Sequence, residues 1–66
     1  MTPVFSIGDW VIDPKREIAP TVFAIIEGLE IVYILEDDNG SLYMEKESAL
    51  IKYDKYWFDK MRDSDF

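Results

Sequence analysis

The chain has 66 residues, 48% hydrophobic, 15% aromatic and 32% charged, which is the composition of one small globular domain over 1–66. Seven Lys and Arg against fourteen Asp and Glu leave a formal charge of −7, which argues against gripping a phosphate backbone by charge. With no Cys and no His, a disulfide scaffold, a thiolate zinc site, a Cys nucleophile and any His-based triad are excluded.

A domain of this size buries only about 60% of the surface its unfolded chain exposes. The stability expected is about 3–10 kcal/mol. Large buried rings compensate in part. The opening residues, Met1-Thr2-Pro3-Val4-Phe5-Ser6, carry no basic segment and no long apolar run, so no secretory leader is expected. The longest apolar stretch, Ile18 to Ile26, is broken by Pro20 and Thr21 and is too short to span a bilayer. The expectation is a cytoplasmic protein without membrane contact.

In chain order, Ser6-Ile7-Gly8-Asp9 is a turn leading into the short strand Trp10-Val11-Ile12-Asp13. Asp13-Pro14-Lys15-Arg16-Glu17 is polar and proline-broken, hence a loop. Val22-Phe23-Ala24-Ile25-Ile26 is β-branched and aromatic between turn signals, and predicts a strand. Glu27-Gly28-Leu29-Glu30 reverses the chain into Ile31-Val32-Tyr33-Ile34-Leu35, a strand of the same character. Asp37-Asp38-Asn39-Gly40 then predicts a hairpin with a type I′ turn at Asn39-Gly40, returning through Leu42-Tyr43-Met44-Glu45. Ser48 is placed to cap one helical turn at Ala49, ahead of a last strand Leu50-Ile51-Lys52-Tyr53. From Asp54 the period changes. Tyr53, Trp57 and Met61 recur every four residues, which predicts a helix of about two turns with one aromatic face, capped by Asp54 and frayed over Asp63 to Phe66.

Five short strands and tight turns favour a closed or nearly closed barrel, because closure removes exposed edges. The pattern resembles a small SH3-like β-barrel, in the broad sense that includes KOW and Tudor-type modules of short phage and bacterial proteins. Gly8-Asp9-Trp10-Val11, the strand pair Val22–Ile26 and Ile31–Leu35, the Asp38-Asn39-Gly40 turn and Ser48-Ala49-Leu50-Ile51 carry the resemblance, over Ile7 to Tyr53. The expected fold is mainly β: a five-stranded SH3-like barrel over about 7–53 with a short C-terminal α-helical tail over about 54–66. The resemblance implies a binding module without catalysis. The Ala-Leu-Tyr-Asp-Tyr-like segment of peptide-binding SH3 domains is absent, and KOW modules that touch RNA are basic where this chain is acidic. Trp10, Phe23, Tyr33 and Tyr43 match the aromatic cage of Tudor-like readers by type only.

The two central strands are apolar on both faces, and a small barrel buries one. Phe23, Ile25, Val32 and Ile34, or their neighbours, must be covered from outside: by the aromatic tail, by a partner or by a second copy. Tyr56-Trp57-Phe58 cannot all face one way on a helix, so one ring is left for solvent or a partner. The expected partner-binding group is therefore Tyr56, Trp57, Phe58 and Met61, with Phe23 and Ile25 beneath or beside them.

Glu36-Asp37-Asp38-Asn39 has the residue types of a Ca²⁺ or Mg²⁺ site but lacks the spacing of an EF-hand loop, and a solvated hairpin tip is expected. Gly8, Gly28 and Gly40 are isolated turn glycines and form no phosphate loop. No metal, cofactor or catalytic residue is expected. The function expected is a non-enzymatic protein-binding module, an adaptor or inhibitor of a host protein encoded by a phage or mobile element. A second reading is an acidic decoy whose carboxylates, Glu36, Asp37, Asp38, Glu45 and Glu47 among them, imitate DNA toward a nucleic-acid-binding protein. A third is a structural homo-oligomer built through the second apolar face.

Overall fold

The structure is a computed structural model; it describes residues 2–63, with side chains for residues 2–60. It is mainly β, with five strands in two sheets and one short C-terminal helix. The strands are β1 (Val11–Ile12), β2 (Thr21–Glu27), β3 (Ile31–Glu36), β4 (Leu42–Lys46) and β5 (Ile51–Lys52); α1 spans Trp57–Asp63. A 3-10 turn, Glu47–Ala49, joins β4 to β5. One sheet is the meander β2-β3-β4 and the other is the pair β1-β5, all antiparallel. They do not close into one hydrogen-bonded barrel; their link is the segment before β1, where Gly8 N–H donates to Val22 O (2.8 Å), Val22 N–H to Asp9 O (2.9 Å), and Trp10 bridges to Thr21.

Each connection has a local cause. Asp9 N–H donates to Ser6 O while the Ser6 N–H donates to Asp9 Oδ2, and Gly8 between them takes φ +91°, the angle a type II turn requires at its third residue. Asp13 and Ile18 exchange backbone hydrogen bonds across the loop Pro14–Glu17, which Glu17 closes at φ 58°. The β3–β4 turn is not type I′. Asp37 and Gly40 bracket it, Gly40 N–H donating to Asp37 O at 3.0 Å, and only Gly40 has positive φ (+80°). That is a type I turn closed by a left-handed glycine. The Asp37 carboxylate selects it by accepting the Asn39 and Ser41 N–H groups, each at 2.9 Å.

Alternation along β3 buries Ile31, Tyr33 and Leu35 and leaves Val32, Ile34 and Glu36 half-buried. Phe5, Val11, Val22 and Leu50 complete the core, with Ile25 and Tyr43 packed against it. Ile12, next to Val11, is also fully buried, so β1 is covered on both faces. The register of β2 on β3 slips between Val22 and Ala24. This bulge changes which β2 residues share a face. Val22 opposes Leu35 and Ile25 opposes Tyr33 on the core side, while Ala24 opposes Ile34 and Ile26 opposes Val32 on the outer side. Ile25 is thereby separated from Val32 and Ile34, with which simple alternation would group it.

The 3-10 turn has Lys46, not Ser48, at its N-cap and no capping side chain. Asp54 acts ahead of α1: its Oδ1 accepts the Tyr56 N–H (2.9 Å) and its carbonyl the Trp57 N–H (3.0 Å). The helix starts at Trp57, later than the aromatic spacing predicts. Among the described residues α1 packs extensively on no strand. The chain measures 41 × 26 × 16 Å with a radius of gyration of 12.3 Å, against about 11 Å for a compact domain of this length.

Candidate functional site

The antiparallel register of β1 on β5, Val11 opposite Lys52 and Ile12 opposite Ile51, places Trp10 and Tyr53 on the next rung. Their rings lie 6.1 Å apart at 47°, and both are exposed, 55% and 44%. With Val4, Phe5, Asp9 and Lys52 they line an open cleft of about 500 Å³. Aromatic faces beside one carboxylate and one ammonium group suit a protein segment, because rings supply contact area at little conformational cost and the charges fix its orientation.

The N-terminal wall of this cleft is fastened from the core. Tyr33, fully buried, donates its hydroxyl to Glu47 Oε2 at 2.6 Å and accepts the Phe5 N–H at 3.2 Å. The same Glu47 oxygen accepts the Val4 N–H at 3.0 Å. Phe5 packs edge-on against Tyr33, centroids 5.5 Å apart. The Tyr33 hydrogen bond, and then the Val4 N–H, hold the Glu47 carboxyl below its usual range. Burial, and then the hydrogen bond to Glu47, push the Tyr33 phenol up.

A second buried polar group organises the Pro14–Glu17 loop. Asp13 is fully buried; its Oδ2 accepts the Tyr43 hydroxyl at 2.9 Å, and its Oδ1 the Arg16 N–H at 3.4 Å. The Arg16 guanidinium lies 4.1 Å over the Tyr43 ring and 3.8 Å from Asp13. Burial, and then the Asp13 hydrogen bond, raise the Tyr43 phenol far above its usual value. This cluster fixes a loop and presents no free acid or base.

The residues expected to meet a partner differ in exposure and contacts. Tyr56 is exposed (55%), with Lys55 Nζ 4.9 Å from its ring centre. Trp57 and Phe58 are half-buried and meet edge to face at 4.9 Å. The Met61 side chain lies outside the described residues, as do Ser64 to Phe66, where fraying was expected. Phe23 is exposed at the bulge (52%), while Ile25 packs on the core. Among the described residues the outer sheet face is open: Ile26, Leu42 and Met44 are 45%, 50% and 60% exposed.

The acidic residues have different roles. Asp37 is spent on its turn and Glu47 on Tyr33 and Val4. Glu36 stands on the outer face and Glu45, opposite Tyr33, on the inner. Among the described residues no three acidic groups gather to hold a metal ion. No helix among them is long and apolar enough to cross a membrane. The Trp10–Tyr53 pair and the buried Asp13 are the features that inspection of the sequence missed; the first is recoverable once β1 is paired with β5. Comparison with protein-family models, with curated proteins and with solved structures finds no match to this chain.

Proposed function

We propose that the chain is a non-enzymatic protein-binding module that seats a segment of a partner protein in the Trp10–Tyr53 cleft. The observation that carries this is the exposed ring pair at 6.1 Å lining about 500 Å³ of open cleft. A monomeric fold gains nothing from leaving two such rings in water, whereas Trp and Tyr dominate interface hot spots.

An SH3-like module is the architecture proposed. In its favour are the pairing of β5 with β1, the β2-β3-β4 meander, the 3-10 turn between β4 and β5, and the Trp10–Thr21 bridge joining the sheets. A cytoplasmic adaptor or inhibitor of a host protein, encoded by a phage or mobile element, remains the proposed setting.

The test is capture from a host-cell lysate by the wild-type chain and by Trp10→Ala/Tyr53→Ala, washed at low and high salt. The expected result is a partner that survives high salt, is lost from the double variant, and leaves the melting curve unchanged. Equal capture by both proteins overturns the cleft. A partner that the double variant keeps and salt releases supports the acidic-decoy reading instead.

A further inference from the structure

The two edges of the β2-β3-β4 sheet differ. The outer edge of β2 is taken up by the segment Gly8–Trp10, through Gly8 N–H to Val22 O, Val22 N–H to Asp9 O and the Trp10–Thr21 bridge. The outer edge of β4 pairs with no strand among the described residues. Folded proteins blunt such edges with charge, proline, bulges or a covering loop. Here charge guards one end only. Glu45 and Lys46, the latter held by Glu30 at 3.5 Å, lie at that end, and the remaining three residues, Leu42-Tyr43-Met44, carry no charge, no proline and no bulge.

The side chains along this edge define what fits against it. Leu42 and Met44 stand on the outer face beside Glu36 and Ile34, their register partners, and are 50% and 60% exposed. With Ile26 and Val32 they continue an apolar surface up to the open edge. On the inner face the edge presents Tyr43, under Arg16, and then Glu45. A strand laid along β4 would place alternate residues opposite Leu42 and Met44, where apolar side chains fit. Its intervening residues would face Glu45, where a cation fits. The net charge of −7 attracts a basic segment at long range.

We propose that the free edge of β4 receives an extended segment of a partner protein in which apolar residues alternate with Lys or Arg. None of the β4 residues lines the Trp10–Tyr53 cleft, so this surface is separate and does not depend on it. A second copy of the chain fits less well. Two molecules of charge −7 repel, and symmetric antiparallel pairing centred on Met44 sets Glu45 opposite Tyr43 rather than a cation.

The experiment uses the full chain and blocked synthetic peptides of about eight residues, the length of a long strand. One alternates Val and Lys, one has the same composition with the residues in two blocks, and one alternates Val and Glu. Amide shifts and hydrogen exchange are read by NMR. The expected result is saturable binding of the alternating Val/Lys peptide, with protection of amides in 42–46. The block peptide should bind about tenfold more weakly, since only alternation matches the pleat. Glu45→Lys should reverse the preference toward the Val/Glu peptide, and Met44→Lys should weaken binding of the Val/Lys peptide with an unchanged melting curve. Equal binding of the block peptide, shifts confined to Trp10 and Tyr53, or an unchanged preference in Glu45→Lys overturns the proposal. So does a dimer by sedimentation whose 42–46 amides are protected without peptide.

Discussion

Tyr33 donates its hydroxyl to Glu47 at 2.6 Å, across fourteen residues of sequence, and through that contact the core fixes the position of the chain's N-terminal segment. Glu47 opens the 3-10 turn, and the same carboxylate oxygen receives Val4 N–H. Three parts of the chain, the cleft wall, the middle strand and the link from β4 to β5, thus meet at one acid.

That acid makes part of the fold sensitive to low pH. The Glu47 carboxyl sits below its ordinary value of 4.5 when folded, so the unfolded chain takes up the proton first as pH falls. Its contribution to stability is complete above about pH 4.5 and is lost as pH falls through the folded value. Asp54, lowered by the Tyr56 N–H and then by Lys60, acts with the same sign on the tail. Glu47→Gln should lower stability at neutral pH and flatten the acid limb, leaving the slope due to Asp54. Urea midpoints measured between about pH 6 and pH 3 check this, and superimposable limbs for the two proteins would refute it.

A buried carboxylate makes a second, larger demand. Asp13 is fully buried and accepts the Tyr43 hydroxyl at 2.9 Å. Removing it leaves that hydroxyl without its acceptor and the loop without its Arg16 N–H contact; the cost expected for Asp13→Ala is about 1–3 kcal/mol. Tyr43→Phe leaves Asp13 the Arg16 N–H and should also destabilise. The Arg16 charge adds little, since its side chain is 53% exposed and 3.8 Å away. Thermal melts of the two variants and of the double variant give the coupling, and additive losses would show that the contact contributes nothing. Alkali supplies an independent check. The Tyr43 phenol is raised, so its contribution holds below about pH 10 and is lost as pH rises through the folded value. Its phenolate absorbance should appear only as the fold is lost, and Tyr43→Phe should reduce that late component to the part due to Tyr33, whose phenol is raised as well.

These contacts also mark where the sequence stops being informative. β2 and β3 are written locally: Val22–Ile26 and Ile31–Leu35 are β-branched and aromatic between turn residues, and the strands extend those runs by a residue or so at their ends. Which β2 side chains enter the core is not local, because the slip at Val22/Ala24 exchanges Ile25 and Ala24 between faces. Asp13 precedes a proline and has the character of a solvated loop; its acceptor role depends on Tyr43, thirty residues away. The Trp10–Tyr53 pair is invisible until β1 is set against β5, a pairing of two residues on each side. The tail spacing of Tyr53, Trp57 and Met61 predicts a helix correctly. It overstates its start, because Asp54 spends its carboxylate on Tyr56 N–H and the first helical residue is Trp57.

The β3–β4 turn offers the cleanest separation of backbone from side-chain effects. Gly40 has φ +80°, and a Cβ added there meets nothing within 4 Å. The cost of Gly40→Ala is therefore conformational alone, about 1 kcal/mol, with no steric term. Asn tolerates the left-handed region better than other residues, so Gly40→Asn should recover part of that loss. A type I′ turn would place positive φ at Asn39 as well, whereas here only Gly40 has it. Asn39→Ala should accordingly cost much less than Gly40→Ala, because Asp37 contacts the Asn39 backbone N–H and not its side chain. Asp37→Ala should cost more than Asn39→Ala, since it removes both 2.9 Å contacts that select the turn. Urea midpoints for the four variants give the order, and a loss at Asn39 equal to that at Gly40 would reinstate the type I′ geometry.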